Sequence, residues 1–190
     1  MTPAAPSLDS DRLKGTNLYL VGMMGAGKST LGKQVAQQLG YRFFDTDSLI
    51  TQVAGQPIPE IFAQSGEVAF RDLETQVLTQ LAPYTRLVVA TGGGIVLRRQ
   101  NWGQLHHGVV IWLDVPLAEL QRRLQGDQTR PLLQRSDWPE HLAQLLQERQ
   151  NLYREADIHL KISPGEAIAA IAQRLLTQLG DRLQAPHGEH

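Results

Sequence analysis

The chain has 190 residues, 42% hydrophobic and 19% charged, with a net charge of −1 and no cysteine. This suits one globular domain with a sizeable core. It gives no electrostatic footprint for nucleic acid or an anionic membrane, and it excludes disulfides and thiolate metal sites.

No apolar stretch reaches the ~18–20 residues of a transmembrane helix. Met1 to Gly15 hold Pro, Ser and two Asp with no apolar core, unlike a signal peptide. The expectation is a soluble, cytoplasmic protein. Residues 1–15 are expected to form a disordered arm, 16–181 a single domain and 182–190 a disordered tail, whose His187 and His190 are solvated.

Within the domain, apolar runs predict strands at 17–22, at a short segment ending in Phe43-Phe44, and at 86–90, 109–113 and 158–162. Helical patterns fit 28–39, 47–54, 59–64, 67–81, 98–105, 117–125, 138–153 and 165–179. Short continuous apolar strands alternating with amphipathic helices predict an α/β fold, a parallel sheet covered on both faces. Ligands of such sheets bind outside the carboxyl ends of the strands.

After the first strand comes Gly22-Met-Met-Gly25-Ala26-Gly27-Lys28-Ser29-Thr30, which satisfies G-x-x-x-x-G-K-[ST]. Glycines let successive N–H groups curl toward phosphate oxygens, and the following helix adds the positive end of its dipole. Lys28 would reach the β/γ-phosphates, and the Ser29 hydroxyl would ligate Mg²⁺. A nucleoside triphosphate, ATP, is the expected co-substrate.

Asp45-Thr-Asp47 follows the second strand. On an extended segment the two carboxylates point the same way, so one can hold Mg²⁺ or its water while the other accepts a hydroxyl proton. Asp47 is also placed to cap the next helix. Arg71 and Glu74 stand three apart on a helix and can pair, as an ordinary surface bridge or with Glu74 orienting Arg71 toward a carboxylate. Phe62 and Phe70 read as core, with one ring face available to a pocket. Thr91-Gly92-Gly93-Gly94 directly follows the third strand, and three glycines there suggest close approach of ligand to backbone.

Further on, Arg122-Arg123 are solvated or place one guanidinium over adenine. Gly126 to Asp137 is polar, bracketed by Gly and Pro, and carries Arg130 and Arg135. It reads as a mobile loop or as a lid, about 126–137, that brings Arg130 onto the transferring phosphoryl group. Either Arg149 or Arg154 can supply a second anion contact.

Together these residues describe a small phosphate-loop kinase whose acceptor carries a carboxylate and hydroxyls. The ordered set resembles shikimate kinase from about Asn17 to Leu179. It comprises the loop, Phe44-Asp-Thr-Asp47, Ile61-Phe62, Gly66-Glu-Val-Ala-Phe70-Arg71-Asp-Leu-Glu74, Thr91-Gly-Gly-Gly94, Thr129-Arg130-Pro131-Leu132-Leu133 and Glu148-Arg149 with Tyr153. The loop is generic to kinases; the other motifs in this order are more specific.

The resemblance implies ATP-dependent phosphorylation of the shikimate 3-hydroxyl, on a five-stranded parallel sheet in the order 2-3-1-4-5 with a nucleoside-monophosphate-kinase-like core and a lid. It implies that Asp47 binds ring hydroxyls and accepts the proton, and that Arg71 and Arg149 hold the ring carboxylate. Gly92, Gly93 and Gly94 would contact the ring through backbone. Lys28 and Arg130 would stabilise phosphoryl charge, Ser29 and Asp45 (through water) would hold Mg²⁺, and Arg123 would lie near adenine. Two alternatives remain on the sequence: a gluconate-type small-molecule kinase, and a nucleotide-binding module without catalysis. Monomer is the default oligomeric state.

Overall fold

The structure, a computed structural model, describes residues 10–127 and 131–184. Its strands are β1 (Leu18–Val21), β2 (Arg42–Asp45), β3 (Leu87–Ala90), β4 (Val109–Asp114) and β5 (Ile158–Lys161). All neighbours pair in parallel, in the order β2-β3-β1-β4-β5. The inner strands β1 and β3 are buried along their whole length because helices cover both faces, which is why they read as unbroken apolar runs. At the edge, β5 alternates: Ile158 and Leu160 point inward, His159 and Lys161 outward.

Register places the site. Leu20 of β1 and Asp45 of β2 both stand opposite Ala90 of β3. The three strands therefore finish at one level, and Gly22, Asp45 and Thr91–Gly94 emerge together at the carboxyl edge. The order reverses at β1, where a doubly wound sheet opens its crevice.

The helices are α1 (Lys28–Leu39), α2 (Thr46–Ala54), α3 (Ile58–Leu81), α4 (Arg99–Leu105), α5 (Leu117–Leu124), α6 (Trp138–Tyr153) and α7 (Ile168–Gln184). The two helices expected at 59–64 and 67–81 are the halves of α3. Gly66, at φ 78° and ψ 178°, breaks the helix between them.

Several boundaries differ from expectation, most by a single residue. The last helix starts at Ile168 rather than 165, because Gly165 takes φ +72° and the Glu166 carboxylate accepts from the Ser163 N–H at 3.0 Å. It continues to Gln184, past the expected domain end at 181. The arm expected to be unstructured to residue 15 forms a 3-10 turn at Ser10–Leu13, which packs on α7 and buries Leu13. Asp47 lies in the first turn of α2, not on an extended segment. No helix among the described residues is long and apolar enough to cross a membrane.

Candidate active site

The loop between β1 and α1 curls as its sequence demands. The Ala26 N–H bonds the Met23 carbonyl at 3.2 Å and the Leu31 N–H bonds that of Gly27 at 2.9 Å. The N–H groups of Gly25 and Gly27 have no acceptor among the described residues. With the start of α1 beside them they make an anion-binding concavity. Lys28 Nζ donates to the carbonyls of Gly22 and Met23, at 2.8 Å each. Arg123 reaches across from α5, donating from Nη1 to the carbonyls of Gly25 and Ala26 at 3.3 and 3.2 Å. Its Nε is held at 2.8 Å by Glu119, whose carboxyl is lowered to about 2 by hydrogen bonds from Arg122 and Arg123. Arg122 itself lies out in solvent.

Asp45, not Asp47, caps α2: its Oδ1 accepts from the N–H groups of Asp47 and Ser48 at 3.0 and 3.2 Å. Its Oδ2 accepts from Ser29 Oγ at 2.5 Å, joining β2 to the loop. This hydroxyl and carboxylate are hard oxygen donors that fit a divalent cation such as Mg²⁺. Among the described residues no cluster of three or more His, Cys, Asp or Glu could hold a metal alone. A cation here would take its other ligands from phosphate and water, as Mg²⁺ prefers.

The glycine triplet lies where Asp47, Arg71, Glu74 and Arg149 meet. A Cβ at Gly92 would stand 2.7 Å from both Asp47 Oδ1 and Glu74 Oε1, and one at Gly94 would collide with the Arg71 guanidinium. At Gly93 it would stand 3.4 Å from the Gly22 carbonyl and 3.5 Å from Arg149 Nη1. The triplet is glycine because charged groups press on it from three helices, α2, α3 and α6, while the phosphate loop backs it. Its first N–H donates to Thr46 Oγ1 at 2.9 Å.

Arg71 and Glu74 pair at 2.6 Å with side chains 13% and 1% exposed, so this is a buried bridge rather than a surface one. Glu67 holds the other edge of the Arg71 fork at 3.0 Å. Burial raises the Glu74 carboxyl above its usual range, and the charge of Arg71 only partly opposes it. Arg149, on α6, is 9% exposed, whereas Arg154 lies on the surface bonded to Asn151. Phe70 is buried, and Phe62, 36% exposed, packs its ring 4.6 Å away at the rim.

Arg130 and its neighbours Gln128 and Thr129 lie outside the described residues. Of the expected lid, Pro131–Gln134 form a 3-10 turn, and Arg135 pairs with Asp137 on the surface. Thr30 is exposed at the start of α1. Sequence reasoning missed Thr46, the grip of Arg123 on the loop carbonyls and the buried Glu119 behind it. A threonine between two aspartates and a glutamate four residues before an arginine carry no signal of their own.

The family model described as shikimate kinase matches residues 24–180. A shikimate kinase of Thermosynechococcus vestitus is 57% identical over 169 residues, covering 89% of this chain and 92% of that one. One from Synechococcus sp. (strain RCC307) is 55% identical over 188 residues, 98% of this chain and 96% of its own. Among solved structures, shikimate kinase from Acinetobacter baumannii in complex with shikimate superposes with a TM-score of 0.81 at 36% identity, covering 97% of this chain and all of that one.

Proposed function

The chain belongs to the shikimate kinase family, and we propose that its site performs ATP-dependent phosphorylation of the 3-hydroxyl of shikimate, giving shikimate 3-phosphate. The observation that carries this reading is the convergence of Asp47, Arg71 and Arg149 on a glycine triplet backed by the phosphate loop. Two guanidiniums and one carboxylate beside open backbone donors suit an acceptor with a carboxylate and hydroxyls.

In this reading the loop N–H groups of Gly25, Ala26, Gly27, Lys28, Ser29 and Thr30 cradle the phosphates. Arg123 lies along the adenine side. Arg71, braced by Glu74 and Glu67, and Arg149 grip the ring carboxylate, which fixes the acceptor hydroxyls near Asp47. The acceptor oxygen forms the new P–O bond as the bond to ADP breaks, and Asp47 takes the hydroxyl proton. Lys28 stabilises charge gathering on the phosphoryl oxygens. When bound, Mg²⁺ held through Ser29 and Asp45 would neutralise phosphate charge.

Arg130 joins Lys28 when residues about 126–137 close as a lid. Support for that step is the polar, Gly- and Pro-bracketed sequence. Hydrogen exchange that leaves 126–137 unchanged by both substrates removes it. The near-neutral charge gives no footprint for nucleic acid or membrane as partners beside ATP and shikimate, the lack of cysteine suits a cytoplasmic setting, and monomer is the default state.

The test is ADP release from Mg²⁺-ATP with shikimate, with gluconate and with no acceptor. Turnover is expected with shikimate alone. Turnover with gluconate instead overturns the acceptor, and ATP binding without acceptor-dependent turnover overturns the catalysis.

A further inference from the structure

Tyr153, the last residue of α6, is fully buried, and its hydroxyl donates to the carbonyl of Gly93 at 2.6 Å. The same oxygen lies 3.6 Å from the sulfur of Met23 in the phosphate loop. Its ring stacks on Trp112 with centroids 5.9 Å apart, and Trp112 stacks in turn on His159 at 4.1 Å. Burial pushes the phenol up to about 12, so it stays a hydrogen-bond donor at any working pH. A buried tyrosine needs some partner for its hydroxyl. Packing alone does not require that partner to be the middle residue of the triplet.

This bond has two geometric effects. No peptide bond among the described residues is cis, so a Gly93 carbonyl turned to Tyr153 directs the Gly94 N–H away from it. Neither the Gly93 nor the Gly94 N–H has an acceptor among the described residues, whereas that of Gly92 is taken by Thr46. The carbonyls of Gly92 and Gly94 are pinned by the N–H groups of Ile95 and Leu97 at 3.1 Å each, so the Gly93–Gly94 peptide, between two conformationally permissive glycines, takes its own anchor from Tyr153. The second effect concerns Arg149, which sits about one turn earlier on α6. The tyrosine ties the turn that carries this guanidinium to the backbone it faces.

We propose that Tyr153 is a positioning residue of the acceptor site: its hydroxyl fixes the Gly93–Gly94 peptide so that the open Gly94 N–H faces the acceptor, and it seats the Arg149 turn against that backbone. The inference rests on the reading that the triplet contacts the acceptor, and it adds a residue outside the contact set.

Tyr153→Phe removes the hydroxyl and keeps the ring. Trp112→Phe loosens the same core and leaves the hydroxyl bond in place. The measurements are KM for shikimate, KM for ATP, kcat and unfolding temperature for both variants and the wild type. Tyr153→Phe is expected to raise KM for shikimate about tenfold, with kcat and KM for ATP within about threefold, as loss of uniform acceptor binding requires. Trp112→Phe is expected to lower the unfolding temperature at least as far, with KM for shikimate within about twofold. An unmoved KM for shikimate in an active Tyr153→Phe enzyme overturns the inference alone. So does a rise in both variants that tracks their lost stability. A wild type inert toward shikimate overturns the acceptor assignment itself and the inference with it.

Discussion

The phosphate loop takes its backbone cradle and lysine from Gly22–Thr30, one contiguous stretch running from the end of β1 into the first turn of α1. The acceptor pocket takes Asp47 from α2, Arg71 and Glu74 from α3, the glycines that follow β3, and Arg149 and Tyr153 from α6. The first is built from backbone geometry and is nearly self-sufficient. The second is built from opposed charges brought together by packing, and each buried member depends on its partner. Damage to the loop should therefore weaken nucleotide binding and spare the fold, whereas damage to the pocket should reach both substrate and stability.

Asp47→Asn tests the sharpest form of this division. It keeps shape and removes the proton acceptor, so kcat should fall on the order of 10³-fold while ATP affinity, by equilibrium titration, stays within about twofold. Unchanged turnover would remove Asp47 from its role. Arg71→Ala should raise KM for shikimate on the order of 100-fold and lower stability in urea by about 3 kcal/mol, because it strands Glu74 as a buried carboxylate. Adding Glu74→Gln should restore most of the stability and none of the affinity. If the double variant is as unstable as the single, the stranded charge is not the cause.

Tyr153 supplies a pH signature. Its folded value of about 12 exceeds the ordinary 10, so stability is fully present below pH 10 and is lost as pH rises toward 12. The loss amounts to about 3 kcal/mol. Tyr153→Phe should lack this component when the two unfolding curves are compared across that window; parallel curves would deny it.

Smaller still is Gly94→Ala. The backbone at φ −95° and ψ 0° accepts alanine, so the effect isolates the collision with Arg71 and should raise KM for shikimate about tenfold, leaving ATP untouched. An unmoved KM would mean Arg71 can step aside. At the loop end, Arg123→Ala should raise KM for ATP about threefold with shikimate kinetics unaltered; a larger shift on shikimate would blur the two regions into one.

The same contrast explains what the sequence could tell. The loop is contiguous, so its spacing announced it, and the apolar runs of β1, β3 and β4 announced a covered parallel sheet. Arg71 with Glu74 was visible as a helical pair, but nothing local distinguishes a surface bridge from one with a 1% exposed carboxylate. That distinction comes from α3 packing over the triplet. Asp45 and Asp47 were singled out together, yet their capping roles were exchanged because α2 starts at Thr46, one residue before the expected position. Tyr153 stood in a recognisable motif without a task, since its partner Gly93 is 60 residues away. Pairings at that range follow from the fold and leave no periodicity in the chain.

The lysine of the phosphate loop carries one more implication. With Lys28 Nζ already donating to the carbonyls of Gly22 and Met23, nucleotide arrival is an exchange of partners rather than the capture of an anion by an idle cation. The two carbonyl bonds given up are set against the stronger charge-assisted bonds gained, so the lysine contributes less to ground-state affinity than an unpartnered ammonium would. Interactions that strengthen as charge shifts in the transition state are the ones that raise turnover. The loop thus holds its strongest charge in place before nucleotide arrives, and tempers rather than denies its grip on resting phosphate.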